Sequence, residues 1–209
     1  MKIQLLILAI LPWLQAERIR VACVGDSITF GSGVESRDKN CYPAVLGGFL
    51  GERYEVKNFG VSGATLLKKG DKPYWKEKAF TEATDFKPDV VVIKLGTNDT
   101  KPRNWKSKAD FEADYAEMIR HFKGLASKPK VFVAIPVAVV KSSFGITEEG
   151  IAEQIPILRK VAKAEGCPVI DLHAVVATAD LFVKDGVHPN AAGAKKIAET
   201  VLTAITDRK

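Results

Sequence analysis

Short apolar segments recur along the chain and are separated by stretches of helical periodicity. The run Val90–Ile93 is continuous rather than alternating, which is typical of a strand that is covered on both faces, and Val131–Ile135 repeats this pattern. Five segments in all predict strands: Ile19–Val24, Tyr54–Asn58, Asp89–Leu95, Val131–Ile135 and Val169–Leu172.

The intervening stretches predict helices. Apolar residues from Phe111 to Leu125 share one helical face, and Asp110 is suited to cap the start of that helix. Pro156 predicts a kink or a break within a second helix at 147–165. Further helices are predicted at Tyr42–Leu50 and at Ala191–Ile205, the latter with Asn190 near its cap.

Strands that alternate with helices predict a mostly parallel sheet with helices on both faces, in one α/β/α layer sandwich. The 209 residues suffice for one such domain and are too few for two ordinary ones. Ser27, Gly60 and Asn98 each follow one of the first three strands, and the loop from His173 to His188 follows the fifth. Because the carboxyl ends of parallel strands share one edge of the sheet, we expect these groups to converge there.

Ser27 and His188 are candidates for nucleophilic catalysis. A serine hydroxyl is a poor nucleophile until a base takes its proton. His188 has Asp185 three residues before it and Pro189 directly after it, whereas His121 and His173 have no such neighbours. Asp185 can accept the Nδ1 proton and leave Nε2 facing Ser27. Each residue alone also fits a plain cap or turn, but the joint arrangement favours catalysis.

Four sequence blocks carry a family resemblance. They are Gly25-Asp26-Ser27-Ile28, Gly60 within Asn58–Gly63, Gly96-Thr97-Asn98-Asp99, and Asp185-Gly186-Val187-His188-Pro189. In these blocks the chain resembles the SGNH hydrolases, the GDSL esterase/lipase superfamily, with Ile28 in place of the usual leucine. The resemblance extends over nearly all of the chain that follows residue 16.

The resemblance implies that Ser27 is the nucleophile, His188 the base and Asp185 the residue that orients it. It also implies an oxyanion hole formed by the backbone N–H groups of Ser27 and Gly60 and by the side-chain amide of Asn98. The implied fold is a flavodoxin-like three-layer α/β/α sandwich with a mostly parallel five-stranded sheet. The implied chemistry is two-step acyl transfer, which needs no metal and no organic cofactor.

The first sixteen residues have the features of a secretory signal peptide. Lys2 precedes the apolar stretch Ile3–Leu14, and Ala16 stands before the polar Glu17. The stretch is shorter than the ~20 apolar residues of a membrane span, so stable membrane insertion is not expected. The sequence therefore predicts cleavage after Ala16, a hydrolase domain at 17–209, and a secreted or periplasmic location. An uncleaved N-terminal anchor is the alternative.

Composition narrows the possible partners. The net charge of +6 comes from many lysines mixed with acidic residues, and no basic run is long enough for a nucleic-acid groove. The three cysteines match no zinc-binding pattern and allow at most one disulfide. Cys23 and Cys167 are expected to be small buried side chains.

Aromatic residues near the motifs suggest a substrate class. Tyr74 and Trp75 follow the Gly60 loop and Trp105 follows the Asn98 loop, each among lysines. They predict a rim that stacks on sugar rings, and the alternative is that they merely cover the sheet edge. The sequences of Gly25–Gly31 and Leu95–Asp99 are most similar to those of bacterial carbohydrate O-acetylesterases and sialate O-acetylesterase-like proteins.

The expected function is therefore a serine esterase that hydrolyses O-acyl esters of carbohydrates, above all O-acetyl esters. A lysophospholipase or acyl thioesterase is an alternative, in which Val137–Val140 and Phe144 would line a groove for a long acyl chain. An alternative from another class is a glycan-binding module that keeps the fold without catalysis.

Overall fold

The computed structural model describes residues 17–207, so the predicted signal peptide at 1–16 lies outside the described residues. Five strands form one parallel sheet: β1 (Ile19–Gly25), β2 (Tyr54–Gly60), β3 (Val90–Lys94), β4 (Lys130–Ile135) and β5 (Val169–Asp171). Their spatial order is β2-β1-β3-β4-β5, which is the flavodoxin-like order. The predicted fold class is confirmed, and the order reverses between β1 and β3, where such sheets bind ligands.

Helices connect the strands. They are α1 (Ser27–Phe30), α2 (Arg37–Asn40), α3 (Tyr42–Leu50), α4 (Lys78–Asp85), α5 (Pro102–Trp105), α6 (Phe111–Lys123), α7 (Glu148–Ala164), α8 (Leu172–Val175) and α9 (Ala191–Thr206). Short 3₁₀ turns lie at Tyr74–Lys76, Thr97–Thr100, Lys108–Asp110 and Ala179–Leu181. Within residues 17–207, no helix combines the length and the apolar character that crossing a membrane requires.

Two hydrophobic cores lie on opposite faces of the sheet. Side chains alternate between the faces of a strand, so Val91 and Ile93 of β3 pack with α6 and α7, whereas Val92 packs with α3 and α9. All three side chains are fully buried. This double burial explains why the β3 sequence is continuously apolar.

The prediction that Asp110 caps α6 is wrong, and of the two outcomes predicted at Pro156 the break does not occur. The Asp110 side chain caps no backbone N–H of α6, because Asp110 belongs to a 3₁₀ turn with helical φ and ψ and its carboxylate accepts from Lys69 Nζ at 2.8 Å. Helix α7 runs continuously through Pro156 instead of breaking there. The buried residues Ile151, Leu158 and Val161 on both sides of the proline pack α7 against the rest of the molecule, which offsets the lost hydrogen bond. Asn190 caps α9 as predicted, accepting from the N–H groups of Ala192 and Gly193.

The cysteine predictions can also be compared with the structure. Cys23, Cys41 and Cys167 are all buried free thiols. Burial raises the pKa of Cys23 to about 12. The hydrogen bond from Tyr42 lowers this pKa, but its effect is smaller than that of burial. Cys23 is therefore an inert part of the core, as its place in an apolar strand predicts.

Candidate active site

The nucleophile candidate lies at the junction of β1 and α1. Asp26 accepts from Ile28 N at 3.0 Å and so caps α1, which places Ser27 in the first turn of that helix. A side chain at Gly25 would overlap Thr29 and the Lys94 carbonyl, so only glycine permits this close strand-to-helix turn. Ser27 is 6% exposed, and its backbone N–H, at the helix start, has no intrahelical acceptor.

His188 connects Ser27 to Asp185. Its Nε2 lies 2.9 Å from Ser27 Oγ, and its Nδ1 lies 2.8 Å from Asp185 Oδ2. Because the carboxylate can only accept, Nδ1 carries the proton and Nε2 is free to take the serine proton. The structure thus brings together the three residues predicted for the triad.

The Asp185 carboxylate is held as an anion. Burial alone would raise its pKa, but hydrogen bonds from the backbone N–H and side chain of His188 and from Val187 N outweigh it. The pKa of Asp185 therefore lies below its ordinary value. An anion at this position stabilises the imidazolium that forms when His188 takes a proton.

Asn98 reaches the same edge of the sheet from the turn that follows β3. It is 3% exposed, and its Nδ2 donates to the Ala64 carbonyl at 3.0 Å. This bond uses one of the two amide hydrogens and fixes the orientation of the side chain. The second hydrogen remains for a substrate oxygen. The Asn98 carbonyl accepts from the buried Asn104 side chain at 2.8 Å, which steadies the turn.

The structure contradicts the oxyanion prediction for Gly60. The Gly60 N–H donates to Asn58 Oδ1 at 2.9 Å, and Gly60 does not line the cleft. Glycine is required there for another reason, since a side chain would overlap the backbone of Phe30. Gly63 lines the cleft instead, with a φ of +83°, and within residues 17–207 its N–H donates to no protein acceptor.

A shallow cleft of about 230 Å³ opens in front of the serine. Its lining consists of Ser27, Ser32, Ser62, Gly63, Asn98, Lys101, Phe144, Ile146 and His188. A larger groove of about 430 Å³ lies along β5 and α9, but no serine, cysteine or histidine is among the described residues that line it. The nucleophile and the base therefore single out the smaller cleft.

The predicted aromatic rim does not reach this cleft. Tyr74 is fully buried, and its hydroxyl donates to the Phe59 carbonyl at 2.7 Å. Trp75 packs against Phe80 and donates to the Leu66 carbonyl, while Trp105 packs against Phe111 and donates to Glu153. These contacts fix the three side chains in the body of the protein, so the alternative of aromatics that cover the sheet fits the structure.

A buried ion pair that sequence reasoning missed lies beneath the serine. Lys94 Nζ is 3.0 Å from both carboxylate oxygens of Asp26 and 2.7 Å from Thr97 Oγ1, and both charged side chains are fully buried. Burial lowers the pKa of Lys94, although the attraction of Asp26 raises it in part. Since Asp26 also caps α1, the pair links the turn that presents Ser27 to β3.

Asp99 fastens the segment that follows Gly63. Its buried carboxylate accepts from Leu66 N at 3.0 Å and from Leu67 N at 2.7 Å. Burial raises the pKa of Asp99 to about 7, against the two backbone hydrogen bonds, which lower it. The adjoining residue Asn98 is thereby held in register with the Gly63 turn.

The raised pKa of Asp99 predicts a pH-dependent stability. Between pH ~4 and ~7 the folded state binds the Asp99 proton more tightly than the unfolded state, so this contribution to stability is lost as the pH rises through that window. Asp99→Asn stays neutral and lacks the effect. We expect the free energy of unfolding of the wild type, relative to Asp99→Asn, to fall by up to about 4 kcal/mol across the window.

Urea unfolding of both proteins at pH values spaced through the window measures this difference. Asp38→Asn, at an exposed aspartate in α2, is the control and should follow the wild-type profile. Parallel pH profiles for the wild type and Asp99→Asn would contradict the prediction.

Comparison with known proteins places the chain in a family. A model described as the GDSL-like Lipase/Acylhydrolase family matches residues 23–196. The chain belongs to this family. It is 44% identical to an acetylxylan esterase from Xylanibacter ruminicola over an alignment 214 residues long, which covers 93% of this chain and 45% of that protein. It is 24% identical to a multidomain esterase from Ruminococcus flavefaciens, over 91% of this chain and 29% of that protein.

The chain spans less than half the length of these two curated relatives. Among solved structures, a carbohydrate acetylesterase from Sinorhizobium meliloti aligns over 90% of this chain and 98% of its own, with a TM-score of 0.73 at 19% identity. At that identity the likeness is one of fold, and it agrees with the parallel sheet flanked by helices described above.

Proposed function

We propose that this protein is a serine esterase that removes O-acetyl groups from carbohydrates. The observation that carries the proposal is the hydrogen-bonded series Ser27–His188–Asp185 facing a small open cleft. The 44% identity to an acetylxylan esterase supports the choice of an acetylated carbohydrate as substrate. Export after cleavage near Ala16 stays a prediction from the sequence.

In the first step Ser27 Oγ attacks the carbonyl carbon of the acetyl ester while His188 Nε2 takes the serine proton. The negative charge moves to the carbonyl oxygen. The Ser27 N–H, the second Nδ2 hydrogen of Asn98 and the Gly63 N–H are the proposed donors to that oxygen. One donor of this kind lowers the barrier by ~3–4 kcal/mol.

His188 then gives its proton to the sugar oxygen, and the bond between that oxygen and the acyl carbon breaks. The acetyl group remains on Ser27. In the second step His188 takes a proton from water, the resulting hydroxide attacks the acyl carbon, and acetate leaves as Ser27 regains its proton. Asp185 stabilises the imidazolium in both steps.

The size of the cleft favours a short acyl group. Its volume of about 230 Å³ lies below the range of roughly 300–1,000 Å³ that drug-sized ligands occupy. Two of the residues considered for a long-chain groove cannot line one, because Val137 is 1% exposed in the core beside α3 and α9, and Val139 is 7% exposed and packs with Ile146 and Ile151. A long acyl chain would therefore have to lie on the surface.

We expect activity to fall with acyl length. The chain that starts at Glu17 should hydrolyse 4-nitrophenyl acetate with kcat/KM about tenfold or more above that for the octanoate, since extra methylenes do not fit the cleft. It should also release acetate from acetylated xylan. A preference for octanoate would favour the lipid or thioester alternative. A folded protein without turnover on any ester would support the glycan-binding alternative.

A further inference from the structure

Phe144 is the most exposed large apolar side chain in the described part of the protein, at 64%, and it lines the active-site cleft. It lies at the tip of a tight turn in which Ile146 N donates to the Ser143 carbonyl at 2.8 Å. Both central residues of the turn have positive φ, +59° at Phe144 and +76° at Gly145.

The sequence of this turn is unusual for its conformation. Turns with positive φ at both central residues favour asparagine, aspartate or glycine at the first of them, because a larger side chain clashes with its own backbone. A left-handed conformation is energetically unfavourable for an ordinary residue. The turn itself gives no reason for a phenylalanine, and solvent exposure gives none either. Strain of this kind points to a role at the site.

The turn is fastened to the loop that carries the triad residues. Ser143 Oγ donates to the Asp185 carbonyl at 2.7 Å, and Val140 N donates to the Gly186 carbonyl at 3.0 Å. The Phe144 ring consequently stands beside the His188 ring, with 5.9 Å between centroids and a 60° tilt. The ring is held in place relative to the catalytic base.

The side of the cleft that Phe144 occupies follows from the chemistry. His188 must reach the leaving oxygen of the ester to protonate it. A ring that flanks His188 therefore adjoins the alcohol part of the substrate, whereas Asn98 and Gly63 adjoin the carbonyl oxygen. For a carbohydrate ester the alcohol part is a sugar ring, whose C–H face is apolar and suits the negative face of an aromatic ring.

We propose that Phe144 is the stacking platform for the sugar ring that bears the acetyl ester, a role that rests on the proposed function. Lys101, on the same cleft, forms no ion pair within residues 17–207 and can donate to sugar hydroxyls. The platform determines which alcohol is accepted, while the triad performs the chemistry.

The test compares two acetyl esters, an acetylated xylo-oligosaccharide and ethyl acetate, which has no ring. Phe144→Ala should lower kcat/KM for the oligosaccharide about tenfold relative to ethyl acetate, mainly through KM. Phe144→Trp should restore the wild-type ratio of kcat/KM for the oligosaccharide to kcat/KM for ethyl acetate. Phe144→Asn should lower this ratio as Phe144→Ala does. It should remain at least as stable to heat as the wild type, since asparagine suits the left-handed turn. Phe49→Ala, at an exposed phenylalanine of α3, is the control and should change neither ester.

Equal losses on both esters would overturn the proposal, because they would indicate that Phe144 only positions His188. Calorimetric binding of the unacetylated xylo-oligosaccharide needs no turnover, and Phe144→Ala should weaken it about tenfold. Unchanged binding would overturn the platform even in an active esterase. If Phe144→Ala weakens this binding while the wild type hydrolyses no ester, the platform is upheld and the proposed function is contradicted instead.

Discussion

Ser27→Ala should abolish ester hydrolysis. Alanine has no hydroxyl to attack the acyl carbon, and loss of a catalytic serine or histidine lowers kcat by at least about 10⁴-fold in enzymes of this mechanism. His188→Ala should have an effect of the same size, because Ser27 then has no base at 2.9 Å. Initial rates on 4-nitrophenyl acetate at substrate concentrations above KM measure both losses.

His173 provides a matched control for the His188 substitution. It forms the other histidine–carboxylate pair of the described chain, with Nε2 2.6 Å from Glu148 Oε1, but it does not line the cleft. His173→Gln should keep activity within a few-fold of the wild type, as expected for a residue that does not touch the reacting atoms. A Ser27→Ala protein that retains a tenth of the wild-type rate would exclude Ser27 as the nucleophile.

Much of the fold follows from the sequence because burial on both faces of a parallel strand leaves a continuous apolar run. The segments around Val90–Ile93 and Val131–Ile135 were therefore recognisable without the structure. The capping role predicted for Asp110 was wrong for a tertiary reason. Its carboxylate pairs with Lys69, which lies 41 residues earlier, and local sequence contains no sign of that partner.

The candidate site was predictable where the chemistry requires particular side chains. Ser27, His188 and Asp185 meet because parallel strands end at one edge of the sheet, and this needs only the strand order. The proposed backbone donor, Gly63, was harder to predict, since glycines at 60 and 63 lie in the same motif. Asn58 could have indicated that the Gly60 N–H is not free to bind a substrate oxygen. An asparagine side chain often accepts from the N–H two residues later, and the Asn58 side chain accepts from Gly60 N in this way.

Aromatic residues in loops were a poor guide to the substrate rim. Tyr74 and Trp105 follow the correct strands, but large aromatic side chains are buried wherever neighbouring segments can cover them. Phe144, which lines the cleft, follows β4, and its exposure depends on a turn whose positive φ values no sequence pattern indicated. Sequence position thus selected the correct edge of the sheet but not the aromatic residue that lines the cleft.

The second large effect is expected at the buried ion pair. Lys94→Met removes the only cation within 4 Å of the Asp26 carboxylate in the described structure and leaves that charge buried. Breaking such a pair on one side costs about 3–5 kcal/mol, far more than the loss of a surface pair. We expect a decrease of this size in the free energy of unfolding, measured with urea, and a lower kcat because Asp26 caps the helix that presents Ser27.

Two further variants decide whether charge burial is the cause. Lys94→Met combined with Asp26→Asn leaves no unpaired charge and keeps an acceptor for Ile28 N, so it should recover part of the stability that Lys94→Met loses. Lys78→Met, which breaks the exposed pair between Lys78 and Glu82, should leave the unfolding curve almost unchanged, because water screens that pair. If Lys94→Met alone unfolds at the same urea concentration as the wild type, burial of the Asp26 carboxylate does not depend on its ion pair with Lys94. The turn at Ser27 would then be held by its backbone and by the Asp26 cap alone.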